Sequence, residues 1–418
     1  MVSPFLPDAE KVAAVREALP ATAAGIYLNT GSVGPLPVET ARAMAEQAEW
    51  DLRTGRAHED YLPETMLRMD EGRAAVAAVL GTDPSRIALT HAATEGMAAA
   101  AWGIDWRPGD AIVTTSLEHA GGLAAVWTAS RRLGLRLVVA DVGDGGDDER
   151  TLAAIEQACA AAGGDVRLVA TSHVSWLTGA VLPIARLAEL AHERGALLAV
   201  DGAQAAGAIP VAVEEAGADL YAVAGQKWLL GPEGTGALYV ARAADAAVAP
   251  TFAGWWSFAS LDPGTAAGEP WPDARRFEVS GFPRASIVGL ARSCGWLSMY
   301  VGLPWVHERT ARLARLAAAL LADVPGVSVL TPRAAMAGLV AFRVAGWQAE
   351  RVAEELSRRV FAILRTVPPL DAVRISVGFF NTEAELERLR DGVAELAAHT
   401  PATLPPRRSL TILHGEPP

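Results

Sequence analysis

The chain has 418 residues, 51% of them apolar and 20% charged, a globular composition long enough for two or three domains. A formal net charge of −12 argues against a nucleic-acid or anionic-membrane surface. Cysteine occurs only at positions 159 and 294, which makes no disulfide framework, and Met1 to Asp8 lacks a basic region followed by an apolar run; a cytoplasmic protein without a signal peptide is expected.

In chain order, residues 1–25 read as an N-terminal segment and 26–255 as a large α/β domain. From about residue 80 to 240, short apolar runs alternate with helix-patterned stretches. Strands are predicted at 111–115, 135–142, 167–172, 196–200, 220–223 and 236–240, and amphipathic helices at 151–162 and 184–194. Continuous apolar strands separated by helices predict a mostly parallel sheet covered on both faces. Residues 256–284 break the pattern and read as an irregular loop between domains, with an aromatic run at Trp255-Trp256-Ser257-Phe258 that either shapes a pocket or packs a boundary. Residues 285–400 predict a smaller α+β domain: helices at 285–301, 304–323 and 383–397, and strands at 326–330, 338–344 and 372–377. Residues 401–418 read as a poorly packed tail. No apolar run approaches the ~18 residues of a membrane span. The eight histidines are scattered, so no metal site is expected.

Ligands of such sheets bind beyond the carboxyl ends of the strands. Lys227, Asp201, His173 and His119 all follow predicted strands. Lys227 is one of two lysines in the chain, set in Ala224-Gly225-Gln226-Lys227-Trp228 before a Gly-rich turn. Asp201 ends the run Ala196 to Val200, where an unpaired carboxylate is costly. Together they suit the two poles of a pyridoxal 5′-phosphate (PLP) site: an amine for the aldehyde and an acid for the ring nitrogen. The bland readings are a surface lysine and a helix N-cap. His119 offers a face for the ring, or else a helix cap. Ala93-Thr94-Glu95-Gly96 opens a helix, a place where backbone N–H groups favour phosphate. Arg374, within the apolar strand Val373 to Val377, needs a partner, and its fork fits a substrate carboxylate or a structural acid. Arg365 is a second candidate.

These pieces, in this order, resemble the aminotransferase class V family of fold-type I PLP enzymes. The resemblance runs from about Tyr27 to Leu396 through Tyr27-Leu28-Asn29-Thr30-Gly31, Ala93 to Gly96, Glu118-His119, Asp201-Gly202-Ala203-Gln204, Gln226-Lys227-Trp228, Phe277-Glu278-Val279, Val373 to Ser376 and Phe379 to Glu383. It implies a seven-stranded large domain. It makes Lys227 the aldimine lysine, Asp201 the ring-nitrogen partner and His119 the stacking residue. Gln204 would meet the ring hydroxyl; Thr94, Glu95 and Gln226 would serve the phosphate; Arg374, Arg365, Asn29 and Trp176 would face the substrate. It implies a homodimer with the active site at the subunit boundary, and Ser280 falls where some members reach the partner's phosphate.

The departures narrow the branch. Cysteine desulfurases carry a nucleophilic Cys shortly before the Arg374 motif, but residues 365–372 contain none. Trp176 stands where they have Asn, and Ala224 and Gln226 where they have a phosphate-binding Ser or Thr and a His. The patterns around His173–Gly179 and Gln226–Pro232 look most like the cyst(e)ine C–S lyase branch. The expected function is a PLP-dependent lyase eliminating sulfur from Cβ of an amino acid. The alternatives are an aminotransferase or isopenicillin N epimerase-like enzyme and, more remotely, a catalytically idle binding protein.

Overall fold

The structure is a computed structural model that describes residues 2–279 and 281–406. Ser280, expected at a partner's phosphate, lies outside the described residues, as do 407–418 of the expected tail.

The large domain is built on a seven-stranded sheet in the order Ile87–Thr90, Gly236–Val240, Leu220–Ala224, Leu197–Asp201, Val166–Ser172, Ala111–Thr115, Arg136–Ala140. Gly236–Val240 runs antiparallel to both neighbours, and the remaining pairings are parallel. The central strands show no polar alternation because both faces are covered. Alternate side chains divide between two cores. Ile112, Leu168, Ala170, Ala199, Ala222 and Leu238 face the helices Ala93–Gly103 and Ala120–Leu133. Val113, Val169, Leu198, Val200 and Val223 face Asp148–Ala161 and Ile184–His192.

The small domain is a four-stranded antiparallel sheet, Val327–Val329, Leu339–Val344, Ala372–Ser376, Arg365–Val367. Helices Leu303–Ala322, Ala349–Val360 and Glu383–Ala397 pack against it. The last is opened by a capping box between Thr382 and Glu385, a signal plain in Asn381-Thr382-Glu383-Ala384-Glu385.

Four expectations need correcting. The boundary at residue 26 is not where the chain enters the large domain. Ile26–Tyr27 pairs with Ala362–Ile363, Asn29 bridges Ser376, and Ile26 and Leu28 are buried in the small-domain core. A two-residue strand has no readable period, and its partner lies far away in sequence. The 256–284 loop contains an exposed hairpin, Phe258–Asp262 with Ala267–Pro270, turned at Asp262-Pro263-Gly264. The 285–301 helix changes pitch, with α-helix over Arg284–Gly295 and π-helix over Trp296–Val301. The tail begins packed: Leu404 lies on the small-domain core and Pro405 O accepts from Arg359 Nη2 at 2.6 Å.

Candidate active site

Parallel strands deliver their carboxyl ends to one edge of the sheet, and the chemistry gathers there. Asp201 closes its strand at 7% exposure and its Oδ1 accepts from Ala203 N at 3.0 Å. His119 caps the helix Ala120–Leu133: its Nδ1 accepts from Gly121 N at 3.0 Å, which leaves the proton of the neutral ring on Nε2. Gly121-Gly122 allow close packing at that helix start. A Cβ on Gly121 would lie 2.6 Å from Thr94 Oγ1, and one on Gly122 would lie 3.4 Å from Asp201 Oδ2. Thr94, His119 and Asp201 are therefore neighbours.

Lys227 sits in a tight turn after the Leu220–Ala224 strand. Leu230 N donates to Lys227 O at 3.1 Å and Gly231 N to Gly225 O at 2.8 Å. Leu230 is held at φ 55, a left-handed conformation that a leucine adopts only under constraint from its surroundings. Ser293 Oγ donates to its carbonyl at 2.8 Å, and its side chain is fully buried. From the other side, Gly34 approaches so closely that a Cβ would lie 2.3 Å from Lys227 O. Burial is the main influence on the Lys227 amine and lowers its pKa. Asp201 opposes the shift, and Arg374 and Arg365 reinforce it. Burial, with Lys227 second, likewise lowers His119 and favours its neutral ring.

The small domain supplies the cations. Arg374 is 1% exposed in its strand. Its Nη1 donates to Trp176 O at 2.8 Å, while Nε and Nη2 are buried without a partner. Burial, with Arg365 adding repulsion, pushes it down to about 9. Arg365 stands directly opposite on the neighbouring strand and donates from Nη1 to Ser32 Oγ at 3.1 Å. Two arginines face to face without an acid repel one another. Among the described residues neither forms a salt bridge.

Other predicted residues lie nearby with tasks of their own. Gln204 Oε1 accepts from Trp228 Nε1 at 2.9 Å and its Nε2 donates to Gly31 O at 2.7 Å, leaving one amide hydrogen for a ligand. Trp176 packs its ring edge-on to His119, with centroids 5.0 Å apart. Asn29 Oδ1 and Gln226 Oε1 are buried without partners. Glu95 differs from expectation: its carboxylate accepts from His91 N at 2.8 Å and pairs with His91 Nδ1 at 2.9 Å, so its side chain serves the helix start and offers phosphate no donor. The helix itself begins at Ala93 with no side-chain cap, so its first N–H groups are open to an anion. Trp255 of the aromatic run is 58% exposed.

Sequence reasoning missed several groups. Glu118 is enclosed by hydroxyls, and burial pushes it up to about 7. Thr30 Oγ1 and Ser376 Oγ are buried and unpartnered beside Asn29. Tyr221 OH lies 2.8 Å from Nδ1 of His173, the histidine already expected at the strand ends, and burial pushes His173 down to about 4. Thr30, Glu118 and Ser376 stood inside recognised motifs; Tyr221 carried no local signal.

A buried acid, a buried amine on which it acts and an open helix start fit an anionic aldehyde cofactor bearing a phosphate. Fold and site together define a PLP-dependent enzyme of fold type I. Residues 26–389 match the aminotransferase class-V family, and the chain belongs to it. Isopenicillin N epimerase of Streptomyces clavuligerus is 31% identical over 391 residues, covering 89% of this chain and 94% of its own. A probable cysteine desulfurase of Methanothermobacter thermautotrophicus is 26% identical over 400 residues, covering 92% and 97%. Among solved structures, the cystine C–S lyase C-DES in complex with its reaction product, cysteine persulfide, superposes with TM-score 0.84 at 27% identity, covering 90% of this chain and 99% of its own.

Proposed function

We propose that the protein catalyses PLP-dependent β-elimination of sulfur from a cysteine- or cystine-like amino acid. The observation that carries this reading is Arg374: a deeply buried guanidinium with two unpartnered nitrogens on the same site as Lys227 and Asp201. Such a group awaits a carboxylate. Bound PLP would supply the electron sink. Lys227 would bond its aldehyde and then move the proton at the substrate Cα. Asp201 would hold the ring nitrogen, His119 would lie against the ring, and the last amide hydrogen of Gln204 would reach the ring oxygen. The open start of the Ala93–Gly103 helix, with Thr94 and Gln226, would hold the phosphate. Arg365, Asn29 and Trp176 would shape the substrate end.

Elimination is favoured over sulfur transfer to the enzyme by the state of the thiols. Cys294 is fully buried and its thiol is pushed up to about 12 by burial; Cys159 is buried in the helix Asp148–Ala161 and burial raises it too. Neither offers the thiolate that persulfide chemistry needs. The likeness to a cystine C–S lyase supports the same choice. A cytoplasmic homodimer with the site at the subunit boundary belongs to this reading. Two buried free cysteines suit a reducing compartment, and among the described residues no helix is long and apolar enough to cross a membrane.

Incubation of the PLP-loaded protein with cystine is expected to release pyruvate. Amino exchange with a keto acid and no pyruvate would contradict elimination. The 31% identity to an isopenicillin N epimerase favours a second reading, epimerisation. Its mark is deuterium entering Cα of a recovered substrate, again without pyruvate.

A further inference from the structure

Glu118 is the acid of the site that the proposed chemistry leaves unused. It joins the Ala111–Thr115 strand to the helix that His119 caps. Its Oε1 accepts from Thr115 Oγ1 at 2.5 Å and Thr171 Oγ1 at 3.4 Å, and its Oε2 from Ser172 Oγ at 2.7 Å. Its main-chain oxygen accepts from Trp176 Nε1 at 3.0 Å. Trp176 in turn braces the His119 ring and accepts from Arg374. One residue thus ties the ring-stacking histidine to the carboxylate clamp. Ser172, its closest partner on the next strand, is in register with Asp201.

Structural need alone does not explain an acid here. Among the described residues no basic side chain forms a salt bridge with Glu118, and a carboxylate enclosed by neutral hydroxyls is costly. A glutamine would accept from Thr115 and Thr171 through its one carbonyl oxygen and could donate its amide to Ser172 Oγ, keeping a neutral network in the same place. The titratable groups around it are Asp201, two strands away beside Ser172, His119 next in the chain, and His173 next to its partner Ser172; Tyr221 bonds His173, and Lys227 acts on His119 and Asp201. Asp201 is the charge that acts on Glu118, and it disfavours a second anion.

We propose that Glu118 is a positioning residue that also tunes charge: it fixes His119 and Trp176, and its carboxyl gains or loses a proton against the Asp201 carboxylate, setting the electrostatics of the cofactor pocket. This rests on the PLP reading for its spectral consequence and on the fold alone for its titration. Burial, the largest influence, places that titration near neutrality. Because the folded state holds the proton more tightly than the unfolded chain, this group's contribution to stability falls as pH rises from the ordinary glutamate range to about 7, and is level above it.

Two measurements test it. The first is thermal unfolding of the cofactor-free protein from about pH 5 to 8. Wild type is expected to lose more stability with rising pH than Glu118→Gln. The second is the visible spectrum of the PLP-loaded protein over the same range. Wild type is expected to show an inflection near neutrality that Glu118→Gln removes and Glu118→Asp restores in part. Ser172→Ala keeps the acid but deletes a hydrogen bond that favours its charged form, so it should move the inflection upward by about half a unit or more. Parallel unfolding profiles in wild type and Glu118→Gln, with the inflection unmoved in Ser172→Ala, would overturn the proposal. If no visible band forms with PLP, the functional reading fails, and the unfolding profiles alone still decide whether Glu118 titrates.

Discussion

Arg374 shows how far a single side chain departs from its own stability optimum. A buried cation without an acid is expensive, and this one sits opposite a second arginine. Arg374→Gln is therefore expected to raise the melting temperature of the cofactor-free protein while lowering kcat/KM by about 10²-fold, the scale of a lost charge-assisted pair. A fall in both, or an unchanged kcat/KM, would show that the guanidinium is a structural anchor. Lys227→Ala is expected to remove turnover by at least ~10³-fold and to leave circular dichroism unchanged. At this scale the sequence was legible where chemistry restricts residue choice. A lysine in a lysine-poor chain, an acid ending an apolar strand and an arginine inside one each violate a local rule, and such violations concentrate at functional sites. Glu118 was not read as a site residue because its partners, Thr115, Thr171 and Ser172, become neighbours only when two strands pair. That the Glu95 carboxylate turns to His91 was not legible, because a helix-opening position says nothing of which way the side chain points.

Between elements, one buried ion pair fastens the loop region to the sheet edge. Glu278, 2% exposed, accepts from Arg73 Nη1 at 2.7 Å and from Leu89 N at 2.9 Å. Arg73 belongs to the helix Tyr61–Leu80 and Leu89 to the edge strand Ile87–Thr90. Arg73→Met leaves Glu278 buried without its cation and is expected to cost about 3–5 kcal/mol in chemical denaturation. A cost under about 1 kcal/mol would mean that the acid simply takes up a proton. Strand and helix positions in the large domain were legible because each strand is a continuous apolar run bounded by turns. Ile87–Thr90, Arg365–Val367 and Ile26–Tyr27 were not, since short edge strands take their pattern from a distant partner.

The whole molecule places its reactive groups on two frames. Lys227, Asp201, His119 and Thr94 come from the large sheet and its helices, and Arg374, Arg365 and Asn29 from the smaller sheet and the chain start that pairs with it. A ligand that engages both frames should stabilise both. PLP is expected to raise the melting temperature in a concentration-dependent way, by about 2.7 kcal/mol of stability at a hundredfold excess over Kd, and less in Lys227→Ala. The α/β class followed from periodicity. The folding of the N-terminal strand into the C-terminal half did not, because contact between the chain's ends leaves no mark on local composition.

The claim beneath all of this is a covalent bond between one amine and an aldehyde. Borohydride treatment of the PLP-loaded protein, followed by peptide mapping, reads it directly. The expected result is one phosphopyridoxyl group on the peptide containing Lys227, and none in Lys227→Ala. A label on Lys11 alone, or a Lys227 peptide that stays unmodified while the visible band persists, would contradict it.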